Sequence, residues 1–233
     1  MGNSFGLRIT CGILLTLLLA PTVAYAQKAA DDCSWEFAGK PRRAVKLRTT
    51  ADGASYTNHN DGRPTTVSEW FTYTCTLDPK LPDEIPAAQA MSGIETVRVT
   101  LHGYLVAARF EREEDHDIHA EIAASPTWNS PHVIVEVPPG QNYCEARRAL
   151  WALVKEDMRA AGDSTAPDRW ILRRPVKIEV TGYVFLDFSS RKEKLADGSR
   201  DFCHFNADRG VKKPGEKSRV RGLWEVHPVL SVK

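Results

Sequence analysis

The sequence predicts a mainly β fold of five strands, with one long helix between the third and the fourth. Three observations carry this. Apolar and polar residues alternate with period two in separate short segments from Glu95 onward. A sustained period near 3.6 occurs once, between Cys144 and Ala161. The preceding region is crowded with glycine, proline and asparagine.

Residues 27–93 read as an irregular N-terminal arm, broken by Gly39, Pro41, Gly53, the run Asn58-His59-Asn60-Asp61-Gly62, Pro64, Pro79, Pro82 and Pro86. One short helix is expected in it, where Thr65 or Thr66 caps a turn leading into Val67, Trp70 and Phe71. The first strand spans Thr96 to Glu111, with Val97, Val99 and Leu101 alternating until Gly103 interrupts the period. An acidic turn leads to the second, Asp117 to Ala123, with Ile118, Ala120 and Ile122 on one face and Asp117, His119 and Glu121 on the other. His132 to Val137 is the third, ended by Pro138-Pro139-Gly140. In the helix, Leu150, Trp151, Val154 and Met158 form the apolar stripe, and Arg147, Arg148, Lys155 and Arg159 take the other face until Gly162 stops it. Val176 to Phe188 and Leu223 to Val232 complete the set, separated by the 34 residues of a polar insertion, 189–222.

Strand, strand, strand, helix, strand, strand is the order of the OB-fold, a five-stranded Greek-key barrel, here occupying residues 94–233. Val97-Arg98-Val99-Thr100-Leu101-His102-Gly103-Tyr104 matches Val176-Lys177-Ile178-Glu179-Val180-Thr181-Gly182-Tyr183 in pattern, with glycine at one shared position. In such a barrel the first and fourth strands are neighbours, and both must coil sharply.

Residues 1–26 read as a cleavable signal peptide: Arg8, an apolar run from Ile9, and small residues ending at Ala24-Tyr25-Ala26. The run is shorter than the roughly 20 residues a membrane helix needs and is interrupted by Pro21, so no stable membrane span is expected after cleavage. The expected location is secreted or periplasmic. Losing Arg8 leaves 30 basic residues against 30 acidic ones, so net charge names no partner. Cys11 leaves with the signal. Cys33, Cys75, Cys144 and Cys203 remain, an even count that favours two disulfides in an oxidising compartment. Of the three connectivities, Cys33 with Cys75 and Cys144 with Cys203 is the expectation, since each pair lies within one half of the chain.

Several motifs together resemble a widespread, uncharacterised family of exported bacterial proteins with an OB-like domain. They are Arg43-Ala44-Val45-Lys46 with Thr65-Thr66-Val67, Asp117-Ile118-His119, Val135-Glu136-Val137-Pro138 with Cys144, Val180-Thr181-Gly182-Tyr183 with Phe185 and Asp187, and Trp224-Glu225-Val226-His227-Pro228-Val229-Leu230. The resemblance implies the fold and export, and supplies no reaction. Similar proteins have a short glycine-rich connection where this chain carries its long insertion.

The sharpest chemical constellation is Asp117 and His119 on the second strand, Glu136 on the third, and Glu225 with His227 on the fifth. Asp117, His119, Glu136 and His227 are candidates to bind a divalent metal or, without one, to perform acid–base catalysis. A shared metal requires polar atoms of His119, Glu136 and His227 within about 5 Å of a common point. The competing reading makes these residues polar strand-face groups that satisfy one another and the backbone.

Charge is unevenly placed. Residues 111–121 hold six acids and one base, whereas 189–222 hold ten bases and five acids, with Phe202, His204 and Phe205 interleaved. Arg200, Phe202, His204, Phe205, Lys212 and Lys213 are therefore candidate contacts for an anionic polymer, single-stranded nucleic acid included. Two solvated, solubilising loops are the competing reading. No phosphate loop, no G-x-S-x-G elbow and no dinucleotide fingerprint occurs. The leading expectation is an exported OB-like module binding an unknown polymer or an envelope protein. A metal-dependent, nuclease-like hydrolase and a disulfide-stapled component of an envelope assembly are the alternatives.

Overall fold

The computed structural model describes residues 33, 42–47, 63–82, 84–86, 88–111, 116–161, 169–187, 201–204 and 209–233. The expected signal segment, residues 112–115 of the acidic turn, Arg200 and Phe205 lie outside them. Five strands, β1 (Arg98–Phe110), β2 (Ile118–Ala123), β3 (His132–Val137), β4 (Arg169–Leu186) and β5 (Val220–Val232), close into a barrel in the order β1-β2-β3-β5-β4. All neighbours are antiparallel except β3 and β5, which are parallel. This is the OB-like connectivity, with β1 beside β4 as the predicted fold expects.

One face of each strand feeds the core, where Leu101, Leu105, Ile122, Val133, Val135, Val184 and Val226 are fully or almost fully buried. Helix α3 (Cys144–Ala161) lays Leu150, Trp151 and Val154 against the barrel, and Trp151 meets Phe110 edge-on at 5.6 Å. Arg147 departs from its expected solvent-facing position. It is buried, donating to the carbonyls of Val137 at 2.9 Å and His116 at 3.0 Å, so the helix pins the end of β3 and the start of β2.

Strand β4 begins seven residues earlier than the period predicts. Leu105 pairs with Val176 but Ala107 pairs with Ile171, so residues 172–175 form a bulge opposite Val106, and Pro175 sits where no ladder hydrogen bond is needed. Gly182 lies at two register shifts between β4 and β5, where a Cβ would stand 2.5 Å from Val226 Cγ1 and 2.6 Å from the Pro228 carbonyl oxygen. Close approach of the two strands is the reason for glycine there.

The arm docks through three features. Helix α2 (Val67–Leu77) has a capping box between Thr66 and Glu69 and buries Val67 and Trp70 against the barrel, as its aromatic face predicts. A single turn, α1 (Arg43–Lys46), follows Arg42, whose guanidinium forms a buried pair with Glu95; Glu95 also accepts the N–H groups of Met91 and Leu186. Two disulfides complete the attachment.

Their pairing corrects the sequence expectation: Cys33 joins Cys144, and Cys75 joins Cys203. Proximity along the chain was the wrong guide. Each bond ties the arm to the barrel domain, across 111 and 128 residues. Closing loops that long removes more freedom from the unfolded chain than a bond within one half would. Among the described residues, no helix is long and apolar enough to cross a membrane.

Candidate functional site

The site grows from the pleat. Because β2 and β3 alternate, the partners of Ile118, Ala120 and Ile122 enter the core while His119 and Glu121 point to the opposite face. Register then sets the rows. His119 lies opposite Glu136 on β3, and two residues beyond the Ile134 pairing with Glu225, β5 brings His227 to the far side of Glu136. Glu136 thus stands between two imidazoles, 3.2 Å from His119 Nδ1 and 2.7 Å from His227 Nδ1. His227 also approaches Glu225 Oε1 at 3.3 Å and, through Nε2, Asp117 Oδ2 at 3.9 Å.

A second row runs beside the first. Glu121 meets His132 Nδ1 at 2.6 Å and accepts the backbone N–H of Val211, while the other nitrogen of His132 donates to the Trp128 carbonyl at 3.1 Å. At the β4 end, Arg209 donates to Asp187 at 2.6 Å and Glu225 at 2.9 Å. All these groups are buried or nearly so.

Such burial is tolerable only if charges match. Burial alone would raise Glu121, but hydrogen bonds from His119 and His132 hold it at about 2. Glu136 is likewise pulled well below the carboxylate range, against its burial, by His119, His227 and the charge of Lys46. Desolvation opposes the charged form of His227, yet Glu136, Glu225 and Asp117 raise it to about 9. His119 is raised against burial by Glu121 and Glu136. Glu225 goes up, first through burial and then through the neighbouring Glu136 charge.

Among the described residues, Arg209, Gly210 and Val211 of the insertion cover this network. Gly210 lies flat on it: a Cβ there would stand 2.8 Å from Glu121 Oε1 and 2.4 Å from Val220 Cγ2. Arg209 and the Val211 N–H supply the contacts that hold the cover down. The polar face that alternation implied is thus sealed inside the protein rather than lying on the outside of a hairpin.

All four predicted metal or catalytic candidates converge, satisfying the 5 Å condition around Glu136. Asp117, Glu136 and His227 offer ligand atoms within 4.8 Å of one another, and His119 stands beside them on the Glu136 carboxylate. Glu136 is already occupied by both imidazoles, and a cation would have to displace the proton that His227 holds. Glu121, His132 and Arg209 escaped the sequence reading. Glu121 was visible as the polar neighbour of His119, but no local signal linked it to residue 211.

Of the rim candidates, His204 and Lys212 are exposed, and Lys213 lies over the Trp128 ring at 5.2 Å. Phe202 is a correction. It is 2% exposed and packs into the core cluster, its carbonyl accepting the Leu223 N–H, so it cannot stack on a ligand. The basic groups that do gather about an opening were not singled out. Lys217, Arg219 and Arg221, with His204, Asn129 and Ser130, line a cleft of about 400 Å³. Arg219 is braced by Glu216 at 3.2 Å, and Arg221 lies over Phe71 at 5.5 Å.

The chain matches no family model, no curated protein and no solved structure. Function must therefore be argued from these two sites.

Proposed function

We propose that this is an exported OB-like binding module, of the kind its motifs resemble, that grips an anionic polymer along the basic edge of its insertion. The cleft walled by Lys217, Arg219 and Arg221, with Asn129 and Ser130 as neutral donors, carries the reading. Guanidinium groups suit bidentate contact with phosphate or sulfate, and Glu216 and Phe71 hold two of them in place. With Phe202 turned inward, charge rather than base stacking carries recognition. The buried histidine–carboxylate network is then the anchor that fixes the insertion on the sheet. In OB-folds the ligand face borders the β4–β5 connection, where this cleft lies.

The test compares the parent with Lys217→Ala/Arg219→Ala/Arg221→Ala for binding to a sulfated polysaccharide and to a single-stranded oligonucleotide at low salt. Removing three cations should lower affinity at least about tenfold. Equal binding by parent and variant, or none by the parent, rejects the reading. A metal-dependent hydrolase is favoured by one observation, the ligand spacing of Asp117, Glu136 and His227. Stoichiometric metal retained by chelator-free protein and lost in His227→Ala would support it, and absence of both metal and phosphodiester hydrolysis would reject it.

A further inference from the structure

The Cys75–Cys203 bond joins the last turn of α2 to the insertion at the edge of a second cleft. This cleft, of about 430 Å³, is lined by Cys75, Asp78, Pro79, Asp201, Cys203 and His204. His204, with 54% of its side chain exposed, stands over the sulfurs, Nε2 3.7 Å from Cys75 Sγ and Nδ1 3.2 Å from Cys203 Sγ. The carboxylate of Asp201 orients the ring: Oδ1 lies 2.8 Å from Nδ1 and accepts the His204 backbone N–H at 3.2 Å. On the inner side, Asp78 accepts the Cys203 N–H at 2.8 Å and the Trp224 indole N–H at 2.6 Å, which fixes Cys203 to the barrel. The other disulfide differs, since both Cys33 and Cys144 are buried.

We propose that Cys75–Cys203 is a redox-active disulfide that exchanges with small thiols, with His204 as its acid–base group. The proposal goes beyond anion binding and does not rest on it. A thiolate is the attacking species in such exchange, and an imidazole within reach of both sulfurs supplies what the two halves of the step require. His204 takes the proton of the incoming thiol at Nε2. The thiolate attacks Cys75 Sγ, the half-buried sulfur, forming a mixed disulfide as the Cys75–Cys203 bond breaks. Cys203 leaves as a thiolate beside the imidazolium, 3.2 Å from Nδ1 in the closed bond. A second thiol attacking the mixed disulfide releases Cys75 and carries away the oxidised pair, so each protein disulfide reduced oxidises two thiols to one disulfide. Asp201 positions His204. Opening the bond would free residues 201–204 from α2 while Arg209 still holds the rest of the cover.

The test treats the intact protein with graded glutathione, traps thiols by alkylation and maps them by mass spectrometry, with circular dichroism following the fold. Cys75 and Cys203 should become labelled while Cys33 and Cys144 stay joined and the fold persists. His204→Asn should slow that opening about tenfold or more. Asp201→Asn should change the pH profile of the rate, which a purely structural role would not do. Opening of both disulfides together, opening only on unfolding, or an unchanged rate in His204→Asn would overturn the proposal. No polymer enters the experiment, so its failure is independent of the anion-binding reading.

Discussion

Glu136 shows how one residue can organise a site. It receives an imidazole from each neighbouring strand, and its removal would strand both. Glu136→Ala should cost about 3–5 kcal/mol, the usual penalty for breaking a buried ion pair from one side. Urea unfolding would show it as a lower midpoint. The same residues predict how stability follows pH. Glu121 titrates at about 2 in the fold against an ordinary value of 4.5. Its contribution is therefore complete above 4.5 and lost as pH falls from there toward 2. His227 is raised from 6.5 to about 9, so its contribution is complete below 6.5 and lost as pH rises through 9. Unfolding free energies measured across pH should form a plateau with two falling limbs, Glu121→Gln flattening the acid limb and His227→Asn the alkaline one. Limbs unchanged in both variants would contradict the assignment.

At the scale of elements, the insertion and the face beneath it are the unit that matters. At Gly210 the two approach so closely that no Cβ fits between the backbone and Glu121 or Val220. Gly210→Ala should overpack the interface, destabilising the protein by about 1–3 kcal/mol. Hydrogen exchange should locate the damage: amides of residues 209–219 lose protection, while β1 and α3 keep theirs. Uniform loss would mean that the cover and barrel are one cooperative unit. These elements also mark where sequence reasoning ends. Alternation in β2 revealed that Asp117, His119 and Glu121 share a face, because the pleat is a local property. What covers that face depends on a segment ninety positions away in the case of Glu121 and Val211, and no period encodes it. Phe202 looked like a surface aromatic for the same reason. The early start of β4 was hidden by its bulge at residues 172–175, and the burial of Arg147 by its place among polar helix residues of which the adjacent Arg148 is exposed.

On the scale of the molecule, the barrel was the legible part. Five alternating segments, one helix in the right interval and the likeness of the first and fourth strands all report local periodicity, whereas closure depends on long-range pairings such as β1 with β4 and β3 with β5 that only the structure shows. The disulfides were legible as a number and not as a pairing, since both bonds join the arm to the barrel and so depend on a docking that distant residues determine. The account that unites the levels is mechanical. A buried network of histidines, carboxylates and Arg209 holds residues 209–211 of the insertion on the barrel, and the proposed function is that Lys217, Arg219 and Arg221 beside it contact an anionic chain. Its most direct test is the salt dependence of binding to a sulfated polysaccharide, measured for the parent protein and the triple alanine variant. The account predicts that log affinity falls linearly with log salt concentration, with a slope shallower in the variant by about two to three units if each cation contacts one anionic group. Binding that ignores salt, or equal slopes for the two proteins, would contradict it.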